Sequence, residues 1–364
     1  MEKDTIILTR KVQIYLDCED KEQRSAYFKQ LFEWQDMVYR GANMVMTHQY
    51  VQEQIKDLIY LRDDVKVKLA DFKKDPDGIF TSSKMNTTYR ILSLYFKGKL
   101  PSKIISAMNM TLNRAYSTDR LAYWKGEKSL RNYKKDMPIP FGGDQIKLSN
   151  DEKGRDFKLT LFKIPFRTYL GKDRSDKRVL IQRALVGQIK ICTSSIKIVK
   201  GKLFLLLALE LPKKQLELKE HIIAEASLSV EHPITVCIDK DNFQIGNKEE
   251  FLYRRMAIQA ARHRIQKAAA YNKGGHGRKK KLQSLDHFEE KERRYVDSRL
   301  HLYSRRLIDI CVKSEAGTLL LVNQTSKEEV AKDDEFLLRN WSYYGLIEKI
   351  RYKASMVGIH VIVE

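Results

Sequence analysis

The chain has 364 residues, with 68 lysines and arginines against 47 acids, a formal charge of +21. That length predicts two or three domains, and 43% hydrophobic residues excludes a disordered chain. The charge excess points first to nucleic acid and second to an anionic membrane surface. Cys18, Cys192, Cys237 and Cys311 form no CxxC, which excludes a zinc ribbon and argues against a disulfide framework.

The start, MEKDTIILTR, is charged and shows no signal peptide. Residues 5–17 alternate like a strand. From residue 21, apolar residues recur at three- and four-residue spacing (Leu31, Trp34, Met37, Val38, Met44, Tyr50), which predicts helices. Shorter helices follow, one with Pro101 in its first turn and a separate one capped by Ser117. Residues 21–131 therefore read as a helical domain.

At Asn132 the period changes to two. Residues 132–220 read as a β-rich unit with a turn at Lys200-Gly201. LFLLLAL, 203–209, is too short to cross a bilayer and reads as a buried strand. The first strand, 1–20, has no sheet of its own and is expected to join this unit. The helical block is then an insertion in a β-barrel. From 221 onward the elements alternate: strands at 222–238 and 242–246, and a helix at 248–270. The loop NKGGHGRKKK and a helix over 282–315 follow, then strand GTLLLVNQ, helix SYYGLIEKIRYKASMVG and strand IHVIVE. That order predicts an α/β layer fold of ribonuclease H type over 221–364.

The charge is clustered. Residues 251–281 hold ten basic residues and no acid, among them Arg254, Arg255, Arg262, Arg264, Arg278, Lys279, Lys280 and Lys281. A solvated helix face mixes signs, so phosphates are the expected counter-charge. The alternative is a basic loop with no fixed partner. A second cluster, YWKGEKSLRNYKKD, interleaves Tyr123, Trp124 and Tyr133 with Lys125, Lys128, Arg131, Lys134 and Lys135. Rings stack on bases while cations hold phosphates, although Trp124 by itself reads better as a core residue.

The segments WKGEKSLRNYKKDMPIPF, SIKIVKGKLFLLLALEL, SLSVEHPITVCID, GGHGRKKKLQSLDHFEEKERRYVDSRLHLYSRRLIDICVKSEAGTLLL and LLRNWSYYGLIEKIRYKASMVGIHVIV together resemble the transposon-encoded TnpB proteins and the related small type V CRISPR effectors. The resemblance runs from about residue 120 onward. It implies an α+β multidomain chain: a wedge β-barrel with an inserted helical recognition domain, then a RuvC domain of ribonuclease H fold with a lid within 248–285. It further implies a guide RNA and a motif-flanked DNA duplex as partners.

A RuvC nuclease holds two metals with several carboxylates. The family's first acid sits in GIDLGIKHP; aligned on His232-Pro233 it becomes Ser227, and the next glycine becomes Ser229. The second sits in GTIVMEDL; aligned on Gly317-Thr318 it becomes Val322. The third acid and the intervening zinc finger fall beyond the last residue. Hydroxyl and alkyl groups are poor ligands for a hard cation. Asp239 lies about 40 Å from position 227 along an extended chain, and Asp309 lies on a long helix. The expectation is therefore a degenerate RuvC-like domain, with no catalytic residues, metal or cofactor. The chain would be a nuclease-dead RNA-guided DNA-binding protein, repressing transcription at a promoter in the bacterial cytoplasm. Asn43, Thr47, Ser83 and Asn86 are candidates for reading the flanking motif. Arg278 to Lys281 occupy the lid position. A guide-free transposon regulator and a residual metal nuclease are the alternatives. The guide, target and oligomeric state stay open.

Overall fold

A computed structural model describes residues 5–60, 84–151, 156–172, 175–213, 216–229, 232–271, 276–322 and 343–364. Ser83 lies outside them. Within α6 below, the side chains of 276–284, 286 and 289 are also outside the description, so nothing is said of those of Arg278, Lys279, Lys280 and Lys281. The chain divides into two compact units, 1–211 and 212–364.

The first unit opens on β1 (Thr5–Leu16), followed by helices α1 (Lys21–Tyr60), α2 (Lys84–Phe96) and α3 (Ser102–Trp124). Seven further strands follow: β2 (Ile139–Phe141), β3 (Lys147–Asn150), β4 (Phe157–Leu161), β5 (Ile164–Tyr169), β6 (Lys190–Ile191), β7 (Ser194–Val199) and β8 (Lys202–Pro212). Helix α4 (Lys177–Leu185), which the sequence reading does not contain, separates β5 from β6. The sheet order is β2-β7-β8-β1-β5-β4-β3, with β6 also on β8. The first strand is thus central, and the helices are inserted between it and β2. The order is an open path; among the described residues no pairing of β2 with β3 closes it into a barrel.

Two corrections concern local signals. Ser117 caps nothing, because α3 runs unbroken from Ser102 to Trp124. No Gly or Pro interrupts this stretch, and a serine inside a helix is tolerated when its side chain faces water; Ser117 is exposed. Pro101 stands one residue before the helix, at its N-cap. The β7–β8 turn does fall at Lys200-Gly201, where both residues have positive φ, 48° and 75°, the twist a tight hairpin requires. The β4–β5 turn uses Phe162 and Lys163 in the same region (φ 50° and 66°), with no turn residue to announce it. The Phe162 ring meets Trp34 edge-on at 5.8 Å.

The second unit contains β9 (Lys219–Ser227), β10 (Ile234–Ile238), β11 (Asp241–Ile245), α5 (Lys248–Ala270), α6 (His276–Lys313), β12 (Ala316–Leu321), α7 (Tyr343–Val357) and β13 (His360–Val363). The expected strand 222–238 is two strands, antiparallel, with Ser227 opposite Thr235 and Ala224 opposite Ile238. Pro233 breaks the run, and the Ser229 hydroxyl ties its two sides, lying 2.8 Å from the His232 carbonyl and 3.2 Å from its N–H. Helix α6 begins earlier than its apolar stripe, so His276 onward is helical rather than loop.

The sheet order is β11-β10-β9-β12-β13, with β12 parallel to both β9 and β13. Small residues on β9 (Ala224, Ala226) and large ones on β12 (Leu319, Leu321) face Phe251, Leu300, Tyr303, Leu307, Leu346 and Ile350 of the helices. The opposite face carries Glu225, Ser227, Cys237, Leu320 and Val322, all partly or well exposed. This is the alternation of a sheet buried on one side.

Gly317 is where β12 joins β9. A Cβ there would lie 2.8 Å from the Lys219 carbonyl oxygen and 2.9 Å from the Glu220 backbone, beside the register shift between Ala316 and Thr318. Backbone cannot yield as a side chain can. Gly317→Ala is expected to destabilise the second unit by about 2–4 kcal/mol, read as a lower urea midpoint, whereas Gly358→Ala meets no atom within 4 Å and carries only the penalty of its positive φ.

Candidate nucleic-acid interface

In the first unit, residues 125–136 leave the end of α3 and return along α1. Asn43 anchors this segment: its Nδ2 donates to the Tyr133 carbonyl (3.1 Å) and its Oδ1 accepts from the Tyr133 N–H (2.8 Å). The amide expected to read a flanking motif thus holds backbone in this conformation. Asp119, almost fully buried on α3, accepts from Lys128 (2.9 Å), Arg131 Nε (2.7 Å) and Tyr123 (3.3 Å). Hydrogen bonds from Lys128 and then Arg131 hold its carboxyl below the usual range.

The aromatic residues of this cluster turn inward. Tyr123 is buried with Met46 and Tyr116, and Tyr133 packs on that group. Trp124 Nε1 donates to Glu53 at 3.0 Å. Lys134 and Lys135 are exposed, and Lys125 sits 3.8 Å from Glu127. The outward surface is therefore cationic, with the rings beneath it. Thr47 and Asn86 are exposed on α1 and α2.

Asp119 ties this surface to acid stability. Its folded pKa is depressed, so its contribution is present above the unfolded value and lost as pH falls through the folded one. Wild-type stability is expected to drop on acidification below about pH 4, the ordinary range for Asp. Asp119→Asn should flatten that part of a melting-temperature-against-pH curve, and an unaltered curve would remove the tether from the account.

In the second unit the basic helix α5 is not uniformly free. Arg255 Nε donates to Glu292 of α6 at 2.9 Å, with both side chains largely buried. Arg262 is half-buried against α6 and α7. Arg254, Arg264 and Lys267 are exposed. A one-sign run in sequence becomes a paired inner stripe and a free outer one, because α6 supplies the acid from 37 residues away.

Ser227 and Val322, the two positions expected to have lost an acid, meet. The Val322 N–H donates to the Ala226 carbonyl at 3.0 Å, so Ser227 and Val322 sit side by side at the carboxyl ends of two parallel strands, where open α/β sheets place their sites. The hairpin also overturns the extended-chain distance to Asp239: by register that residue is about four positions, or roughly 13 Å, from Ser227, but it lies at the other end of β10. Asp309 pairs with Arg305 on α6. Two acids lie near this pair on the same face, and the sequence reading passed over both: Glu225, two residues before Ser227 and opposite Cys237, and Glu364, whose N–H donates to the Leu321 carbonyl at 3.1 Å and which therefore follows the β12–β13 register to Val322. Among the described residues no three His, Cys, Asp or Glu side chains form a metal cluster, and no helix is long and apolar enough to cross a membrane.

The fold is one already seen in a solved structure. A Cas12f1 chain in a cryo-EM Cas12f1–sgRNA–target DNA complex superposes with a TM-score of 0.72 over 99% of this chain and 89% of that one, at 16% identity. In sequence, the chain is similar to the CRISPR-associated endodeoxyribonuclease Cas12f1 of Sulfoacidibacillus thermotolerans, 25% identical over 313 residues, covering 79% of this chain and 73% of the relative. The Cas12f1 of Syntrophomonas palmitatica is 33% identical over 129 residues, 35% of this chain and 24% of that protein. No family model matches.

Proposed function

We propose that this chain is an RNA-guided DNA-binding protein that holds its target without cutting it, and that it represses transcription by occupying a promoter. Its similarity to Cas12f1, together with a fold seen in a complex with sgRNA and target DNA, supports guide RNA and a DNA duplex as partners. In such systems base pairing carries the sequence information while protein contacts hold backbone and read a short flanking motif. None of that needs a metal.

The observation that carries the absence of cleavage is the Ser227–Val322 pair. These neighbouring strand ends present a hydroxyl and an isopropyl group where the resemblance calls for two carboxylates. On this reading the second unit is a degenerate RuvC domain, and the first is the wedge with its inserted recognition helices. The named relatives are endodeoxyribonucleases, so residual cutting is the competing reading, and Glu225 and Glu364 are the acids it would use.

The test is to purify the protein, sequence the RNA that accompanies it, and footprint a duplex matching that RNA. One discrete RNA and protection of the matching promoter support the reading. Random RNA fragments, or equal protection after RNase treatment, favour a guide-free regulator.

A further inference from the structure

Helices α5, α6 and α7 enclose a groove of about 840 Å³ within the second unit, a volume in the range of small-molecule sites (about 300–1,000 Å³). It lies on the helical layer, which covers the sheet face opposite to Ser227 and Val322. Val296 and Leu300 of α6, both buried, lie beneath the groove, and Gly345 of α7 packs on Leu300: a Cβ there would rest on Leu300 Cδ1 at 3.4 Å.

The charges around the groove are unevenly used. Glu292 is taken by Arg255 (2.9 Å) and Gln259 (2.8 Å). Asp297 is taken by Lys349 (2.7 Å). His301 is kept from protonation by burial and by Lys349 and Lys353. Arg262 and Arg293 line the groove beyond these pairs, with Glu348 the remaining acid. The Arg262 Nε is buried and has no hydrogen-bond partner. A desolvated guanidinium N–H without an acceptor is costly, so the Arg262 side chain gains by turning its guanidinium toward an acceptor in the groove it lines. Guanidinium matches phosphate geometry better than any other side chain. The Tyr352 ring, 43% exposed, supplies a flat apolar face on the same wall.

We infer that this groove binds a nucleoside monophosphate unit, its phosphate on Arg262 and Arg293 and its base against Tyr352. The unit is either a free nucleotide or one unstacked nucleotide of a bound strand; in the second case the inference rests on the nucleic-acid reading above.

The full chain, stripped of nucleic acid by nuclease and high salt, is titrated calorimetrically with nucleoside monophosphates, with inorganic phosphate and with nucleosides. Nucleotides should bind at least about tenfold tighter than either fragment, since stacking and phosphate contacts both contribute. Arg262→Gln and Tyr352→Ala should each weaken nucleotide binding about tenfold without lowering the melting temperature. A short RNA carrying 4-thiouridine then distinguishes the sources: crosslinks mapping to α7 place a strand nucleotide in the groove, whereas free nucleotide binding without such crosslinks assigns a small-molecule site. Phosphate binding as tightly as nucleotide, no binding at all, or variants that bind like wild type would each overturn the inference. Nucleotide binding by a protein that carries no specific RNA would leave the groove standing and remove the guided reading.

Discussion

Incubated with Mg²⁺ and a matching duplex, the protein carrying its RNA is expected to leave both DNA strands uncut. Two-metal hydrolysis needs carboxylates that offset the dehydration of a hard cation and fix it against the attacking and leaving oxygens. Ser227 and Val322 offer neither charge nor geometry at the strand ends where the proposed reading places these groups. Enzymes commonly turn over at about 1–10³ per second, so a prolonged incubation separates a dead site from a slow one by orders of magnitude. Glu225→Gln combined with Glu364→Gln provides the control. If wild type does cut and this variant does not, the residual-nuclease reading replaces the one proposed here. The complementary variant is Ser227→Asp combined with Val322→Glu. Neighbouring strands lie about 4.8 Å apart, so the two new acids would face one another across one strand spacing. That protein is expected to gain Mg²⁺-dependent thermal stabilisation that the parent lacks. A parent already stabilised by Mg²⁺ would point to a metal site elsewhere.

The second large effect concerns the free cations of α5. Replacing Arg254, Arg264 and Lys267 together with Ala should weaken nucleic-acid binding and lower its dependence on salt. Each phosphate contact contributes about 0.7–0.9 to the slope of log K against log salt, so three lost contacts reduce the slope by roughly 2–3. Over a fourfold rise in salt, wild type should therefore lose roughly 20- to 40-fold more affinity than the variant. Arg255→Ala behaves differently. It strands the largely buried Glu292 carboxylate, so the expected loss is in folding stability, and its salt slope should stay near that of wild type. An identical slope for wild type and the triple variant would move the phosphate-binding surface off this helix.

Much of the fold is legible in the sequence because its signals are local. The period-two run at 203–209 becomes the buried strand β8, and the stripe Val296, Leu300, Tyr303 and Leu307 becomes the inner face of α6. Other elements escape because their signals are weak or misleading. The β4–β5 turn is made by Phe-Lys, which nothing in turn chemistry predicts, and α4 is short with a mixed composition. Residues 222–238 read as one strand because Ile222 and Ile223 at one end and Ile234, Thr235, Val236 and Ile238 at the other are β-branched, and the hairpin shows only in the pairing of Ser227 with Thr235.

The candidate site divides the same way. Sequence by itself determined the net charge, the two basic clusters and the lack of an acid at positions 227 and 322, because these depend on residue identity alone. Tertiary structure decided which cations are free. Asp119 and Glu292 lie outside the windows they neutralise, and only packing brings them to Lys128, Arg131 and Arg255. It also decided that Asn43 holds the backbone at Tyr133, that the rings beside the lysines face inward, and that Ser227 stands next to Val322 although 95 positions separate them. Charge is a property of composition, whereas its availability to a phosphate depends on which neighbour the fold supplies first.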